Sequence, residues 1–196
     1  MLRNVLWITA TVVLAAAAGL YPSWASRQNE KAAARGRIPD VGFSATPHDV
    51  VAKMLKLAEV RRDDLVYDLG CGDGRLVVAA AKQYGCRAVG YDIDPDCVER
   101  ARRNVKHSGV DDLVRIKQAD IFALDLSQAD VILLYLLPDL NIRLTPQLEK
   151  LKPGARIVSH EFGMGVVEPD LVVEHVSAED NRPHAIFFWT APLKKK

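Results

Sequence analysis

Val66-Tyr67-Asp68-Leu69-Gly70-Cys71-Gly72-Asp73-Gly74-Arg75 decides the fold of this 196-residue chain. Leu65–Leu69 is a short apolar run that reads as a buried strand. Arg75–Tyr84 carries apolar residues at helical spacing and is closed by Gly85. The three glycines between them let the backbone turn sharply and approach a ligand with no Cβ in the way. A strand passed through a glycine turn into a helix opens a parallel α/β sheet. Ligands of such sheets bind beyond the carboxyl ends of the strands, where strand order reverses.

Outward from this unit, strands and amphipathic helices alternate. Residues 88–92 read as a strand. Asp94-Pro95 then starts a helix running to about His107, with Asp94 as its cap. Residues 113–118 and 129–136 are strands, 140–151 a helix and 155–161 a strand. Two late β segments, about 171–176 and 184–190, follow with no good helix between them. Upstream, Thr46-Pro47-His48-Asp49 opens a helix: Thr46 as cap, Pro47 in the first turn, Asp49 at the capping-box position. The expected fold class is α/β: a Rossmann-like seven-strand methyltransferase sheet, mostly parallel with an antiparallel C-terminal edge, helices on both faces.

The acids at the strand ends specify the ligand. Asp68 and Asp73 flank a loop (Gly70, Gly72, Gly74) that ends in a helix start, where free N–H groups suit a carboxylate. The same acids repel a pyrophosphate and suit a ligand carrying a sulfonium and an ammonium. Asp92, 24 residues after Asp68, closes the second strand, where a carboxylate accepts from ribose hydroxyls, with Ile93 beside it. Asp120 follows the third strand and suits an adenine amino group, with Ile121 or Phe122 covering the ring. The cofactor these positions fit is S-adenosylmethionine. Methyl transfer needs alignment rather than a covalent intermediate, and no nucleophile–base pattern is visible. Tyr135, Phe43 and Phe162 could line an apolar channel for the acceptor, with Tyr135 also near the cofactor. Tyr135 and Glu161 are the catalytic candidates, His160 accompanying Glu161 at the end of the fifth strand. His107, His175 and His184 show no metal-ligand spacing, so no metal is expected.

Ala45-Thr46-Pro47-His48-Asp49-Val50-Val51, the glycine loop with its strand, Ala88-Val89-Gly90-Tyr91-Asp92 and Pro146-Gln147-Leu148-Glu149-Lys150 together resemble a particular family. It comprises the ATP synthase c-subunit lysine methyltransferases and their bacterial relatives. Residues 148–161 are more distantly similar to the non-SET histone-lysine methyltransferases. The resemblance covers roughly residues 41–165. It implies that Thr46 and Pro47 lie against the methionine end of the cofactor and that the acceptor is a protein lysine. Tyr135-Leu136-Leu137-Pro138-Asp139-Leu140 departs from the family pattern, so no acceptor residue follows from it. That stretch also lacks the polar-proline-proline-aromatic signature of enzymes that methylate nucleobase amines.

Charge bears on partners. The chain holds 26 basic and 25 acidic residues. Setting aside five basic and two acidic residues in 1–40 and the three terminal lysines leaves 18 against 23 in residues 41–193, a net −5. No general footprint for a phosphate backbone results, and the count speaks against nucleic acid as a partner. Three cysteines, Cys71, Cys86 and Cys97, give no disulfide framework and suit a reducing compartment. Residues 1–25 read as a hydrophobic anchor or signal segment, 26–40 as a polar linker and 41–196 as the catalytic domain. The apolar run from Val5 to Tyr21 is of borderline length for a membrane span. Basic residues after it predict an anchored protein with its domain in the cytoplasm. Export after cleavage near Ala25 is the rival. A protein lysine, on a membrane protein if the anchor holds, is the leading acceptor. A small molecule or lipid at the membrane, a non-catalytic cofactor-binding module and an NAD-linked dehydrogenase are the competing readings.

Overall fold

The computed structural model describes residues 40 and 42–194. In chain order the elements are α1 (His48–Leu57), β1 (Leu65–Leu69), α2 (Arg75–Tyr84), β2 (Arg87–Asp92), α3 (Pro95–His107), β3 (Val114–Gln118), a 3-10 turn (Ile121–Ala123), β4 (Val131–Leu134), α4 (Pro138–Leu148), β5 (Arg156–His160), β6 (Leu171–Val176) and β7 (Pro183–Thr190). The strands form one seven-stranded sheet in the order β3-β2-β1-β4-β5-β7-β6. β1 to β5 are parallel, whereas β7 runs antiparallel to both β5 and β6. This is the expected Rossmann-like seven-strand architecture with its antiparallel edge.

Side-chain alternation divides the core between the two faces of the sheet. Val66, Leu133 and Val158 pack with the apolar stripes of α1, α2 and α3. Tyr67, Leu69, Ile132, Leu134 and Ile157 face the other way, against Leu144 and Leu148 of α4 and Trp189 of β7. β4 is buried along its whole length because helices cover both its faces. β6, at the sheet's edge, leaves Leu171, Val172 and Val176 exposed. Strand order reverses between β2-β1 and β4, which opens a crevice at the carboxyl ends of β1 and β4.

Local starts and stops follow the sequence in most places. Asp94 accepts from the Asp96 N–H at 2.9 Å and caps α3, with Pro95 in its first turn. Gly85, at φ +68°, ends α2. The start of α1 differs from expectation. Thr46 makes no capping bond, and its hydroxyl turns inward to His160. The His48 and Asp49 N–H groups donate instead to Glu179, 131 and 130 residues away. Asp49, freed from a capping box, accepts from the Ser177 hydroxyl and the Ala178 N–H. The β6–β7 connection therefore closes over the first turn of α1. The 3-10 turn after β3 was not expected. α4 begins at Pro138, two residues before the expected helix, and ends at Leu148.

The anchored localisation is corrected: among the described residues no helix is long and apolar enough to cross a membrane. The run from Val5 to Tyr21, with the anchor or signal assigned to residues 1–25 and the linker up to residue 39, lies outside the described residues.

Candidate active site

The tips of β1 and β2 build the floor of the crevice. The N–H groups of Gly70 and Cys71 both donate to the Tyr91 carbonyl at 2.8 Å, which pins the glycine loop to the end of β2. Gly72 sits at φ +55°, and a Cβ there would lie 2.3 Å from the Phe43 ring. Only glycine allows that ring to lie across the loop. Gly90 serves the same closeness from beneath, since its Cβ would stand 2.8 Å from Cys71 Sγ. The result is an open cleft. Residues 42–46 roof it, the glycine loop and the β2 end floor it, and residues 119–122 and 135–140 wall it.

Carboxylates dominate the floor. Asp68 is 3% exposed and its Oδ2 has no hydrogen-bond partner. Burial, followed by the neighbouring charges of Asp92 and Asp73, pushes its carboxyl up to about 8. An orphaned buried carboxylate oxygen costs free energy unless a donor or a cation reaches it. Asp92 faces the loop, its Oδ2 accepting from the Gly72 N–H at 2.8 Å and its Oδ1 from the Asp94 N–H at 2.9 Å. Burial raises its carboxyl too. Asp73 is different. Burial works against its charge, but bonds from Arg75 outweigh this and hold its carboxyl below the ordinary value. Arg75 Nε and Nη2 grip that carboxylate at 3.0 and 2.7 Å, while Nη1 donates to the Thr46 carbonyl at 2.8 Å. Arg75 thus ties the loop to the roof, and two acids, Asp68 and Asp92, remain to meet a ligand's positive charge.

On the wall beyond β3, Asp120 accepts from the Phe122 N–H at 3.0 Å and caps the 3-10 turn. Ile121 and Phe122 of that turn line the cleft, and the Arg143 guanidinium stacks over the Phe122 ring, 3.7 Å from its centre. Opposite, Tyr135 lines the cleft and packs on His160 with ring centroids 4.1 Å apart. His160 is 1% exposed, and burial pushes its imidazole down to about 4.

Of the residues expected at the site, Thr46, Asp68, Gly70, Gly72, Asp73, Asp92, Ile93, Asp120, Ile121 and Tyr135 border one cleft, together with Phe43. Pro47, Gly74, Glu161 and Phe162 do not line it. Gly74, at φ +77°, is the N-cap of α2, and Glu161 turns its carboxylate to His184 at 2.8 Å. The sequence reading passed over Gly42 and Ser44 of the roof, the Arg75 clamp, and Leu136 and Leu140 of the wall. The clamp had a signal, an arginine two residues after an acid at a helix start. The wall had none, because apolar residues after a strand read equally well as core.

A family model, the ANTKMT methyltransferase domain, matches residues 68–171. The chain is 41% identical over 155 residues to a protein-lysine N-methyltransferase of Saccharolobus islandicus, spanning 78% of this chain and 94% of that protein. It is 32% identical over 130 residues to the ATP synthase c-subunit lysine N-methyltransferase of Homo sapiens, spanning 66% of this chain and only 53% of that one. Among solved structures, one from Salinibacter ruber, described as an RNA methyltransferase in complex with S-adenosyl-L-homocysteine, superposes with a TM-score of 0.70. It is 47% identical, with 76% of this chain and 94% of that chain covered.

Proposed function

Since the chain belongs to the ANTKMT methyltransferase domain family, we propose that it is an S-adenosylmethionine-dependent methyltransferase that places its methyl group on the side-chain nitrogen of a protein lysine. One observation carries the cofactor: the buried Asp68 oxygen without a partner, at the floor of a cleft that Asp92 also lines. A ligand bearing an ammonium and a sulfonium supplies the missing positive charge. The glycine loop leaves room for its methionine end, Asp92 meets the ribose, and Ile121 and Phe122 cover the base. When bound, S-adenosylmethionine supplies a methyl group already activated on sulfur, for one in-line displacement by a nitrogen lone pair.

The chain's own residues then have two tasks. They align donor and acceptor, which is worth up to about 7–11 kcal/mol in well-oriented systems. They also favour the neutral amine, because a lysine of pKa about 10.4 is neutral in only about one molecule in a thousand near pH 7.4. Phe43, Tyr135, Leu136 and Leu140 give the cleft an apolar wall beside the loop. Such a surface disfavours an ammonium and so raises the neutral fraction. We assign the catalytic domain to residues 41–196 and place Tyr135, which lines the cleft, beside the acceptor.

Protein is the acceptor class favoured by the lysine methyltransferases to which this chain is similar. The Salinibacter ruber description raises RNA as a second reading, against which stands the net −5 of residues 41–193. Incubation with methyl-labelled cofactor and separated protein, RNA and lipid fractions decides the matter. Label in protein, recovered as methyl-lysine after hydrolysis, is the expected result. Label confined to RNA or lipid would overturn the acceptor while leaving the cofactor in place.

A further inference from the structure

Behind Tyr135, on the side away from the cleft, the end of β5 meets the start of β7. Three side chains converge there. His160 Nε2 lies 2.9 Å from His184 Nδ1, Glu161 Oε1 is 2.8 Å from that same Nδ1, and 3.4 Å separates Glu161 Oε1 from His160 Nε2. His160 and His184 are 1% and 7% exposed. In the sequence His184 stands 24 residues after His160, a gap with no ligand spacing. The antiparallel pairing of β5 with β7 sets His160 opposite Ile186 and closes that gap.

The outward-facing ring nitrogens are already engaged. His184 Nε2 stands 3.1 Å from the Asp180 carboxylate, and His160 Nδ1 stands 3.2 Å from the Thr46 hydroxyl. A neutral imidazole has one N–H. When His184 donates it to Asp180, its Nδ1 presents a bare lone pair to the Glu161 carboxylate, and His160 can relieve only one of the three contacts. With His160 donating into one contact, the Glu161 carboxylate and the bare His184 Nδ1 still face each other at 2.8 Å, and two acceptors so close call for a positive charge there. The backbone agrees: Glu161 holds φ +65°, a left-handed conformation that residues with side chains rarely adopt. Its N–H is fixed to the Ala185 carbonyl at 2.7 Å, which keeps its carboxylate turned toward the two rings.

We propose that His160, Glu161 and His184 form a binding site for a divalent transition metal of the zinc class, which staples β5 to β7 behind the acceptor wall. Two imidazoles and one carboxylate are the donor set such ions take, at about 2.0–2.2 Å from each ligand atom. Ligands on a tetrahedral ion of that size lie about 3.3 Å apart, so a slight opening of the triangle admits it. A proton would bridge only the Glu161–His184 pair by one near-linear bond, whereas a metal ion takes a lone pair from all three atoms. Asp180 behind His184 is the carboxylate–histidine–metal arrangement that fixes the ring and its tautomer. The fourth position is open to water, since Glu161 is partly exposed.

The full chain, stripped with a chelator and dialysed, is titrated with Zn²⁺ by calorimetry and with Co²⁺ by visible absorption. One ion per chain is expected, with the intense visible bands of cobalt in a low-symmetry site. His184→Ala and Glu161→Gln should weaken binding at least a hundredfold, and Asp180→Asn about 10- to 100-fold. Titration of each variant with S-adenosyl-L-homocysteine checks that the cleft is still formed. A wild-type chain that takes up neither ion, or uptake unchanged in Glu161→Gln, would overturn the site and identify the central charge as a proton on His184.

Discussion

Replacing Asp68 by asparagine separates stability from cofactor binding. Burial and the neighbouring acids lift the Asp68 carboxyl from 3.8 to about 8. A folded-state pKa raised above the unfolded value gives stability that is complete below about 3.8 and is lost as pH rises through about 8. Each pH unit climbed in that window costs the folded protein about 1.4 kcal/mol, so the loss at pH 7 approaches about 4 kcal/mol as a ceiling. Asparagine keeps the shape and removes the charge, but leaves a buried amide to satisfy at about 1–3 kcal/mol. Asp68→Asn should therefore be about 1–3 kcal/mol more stable than wild type in urea unfolding at pH 7–8, with the advantage gone near pH 4. Binding should move the other way. At pH 7 only about a tenth of Asp68 is ionised, and a cationic ligand pairs with that fraction. The affinity of wild type for S-adenosyl-L-homocysteine should rise nearly tenfold from pH 6 to pH 7, where the ligand's amino group is still charged, with close to one proton released. The variant should lose that slope and bind about 10- to 100-fold more weakly, as loss of a charge-assisted bond implies. Equal stability at pH 7 together with an unchanged slope would refute the role given to Asp68.

Asp92→Ala should weaken S-adenosyl-L-homocysteine binding more than tenfold by calorimetry, because it removes the ribose acceptor and the anchor of the Gly72 N–H. Asp94→Ala should instead lose about 1 kcal/mol of stability as a missing helix cap and bind the ligand nearly as wild type does; equal or reversed losses would mean the ribose ligand is misassigned. Gly72→Ala should destabilise by about 1–2 kcal/mol from its left-handed backbone alone and by more from the Phe43 clash. Thermal unfolding of Gly72→Ala/Phe43→Ala should recover only the second part. Glu179→Ala should cost about 1 kcal/mol in urea unfolding by uncapping α1, and no change would show that water caps that helix equally well.

The centre of the parallel sheet was legible because both faces of β1 and β4 are buried. β1 and β4 therefore appear as largely apolar runs, and Gly74, Gly85 and Asp94-Pro95 mark helix boundaries by local chemistry. The cleft was legible for a related reason: its acids stand at strand ends, so their order along the chain gives their order around the ligand. Contacts decided by distant partners were not legible. Thr46 carries the chemistry of a cap, but His160, 114 residues away, takes its hydroxyl, and Glu179 caps the helix in its place. Asp73 looked like a free acid until Arg75 folded back on it. His160 and Glu161 stand side by side in the sequence, but His184 reaches them only through the antiparallel pairing of β7 with β5. Glu161, a catalytic candidate by its position after β5, points away from the cleft because its backbone is left-handed.

The most direct test is calorimetric titration of the purified chain with S-adenosyl-L-homocysteine and, separately, with NAD⁺ at pH 7. A single site for the sulfur nucleoside, with proton release and no heat from the dinucleotide, is the result expected of a cleft floored by Asp68 and Asp92. Binding of NAD⁺ in that cleft, with no response to the sulfur nucleoside, would contradict it.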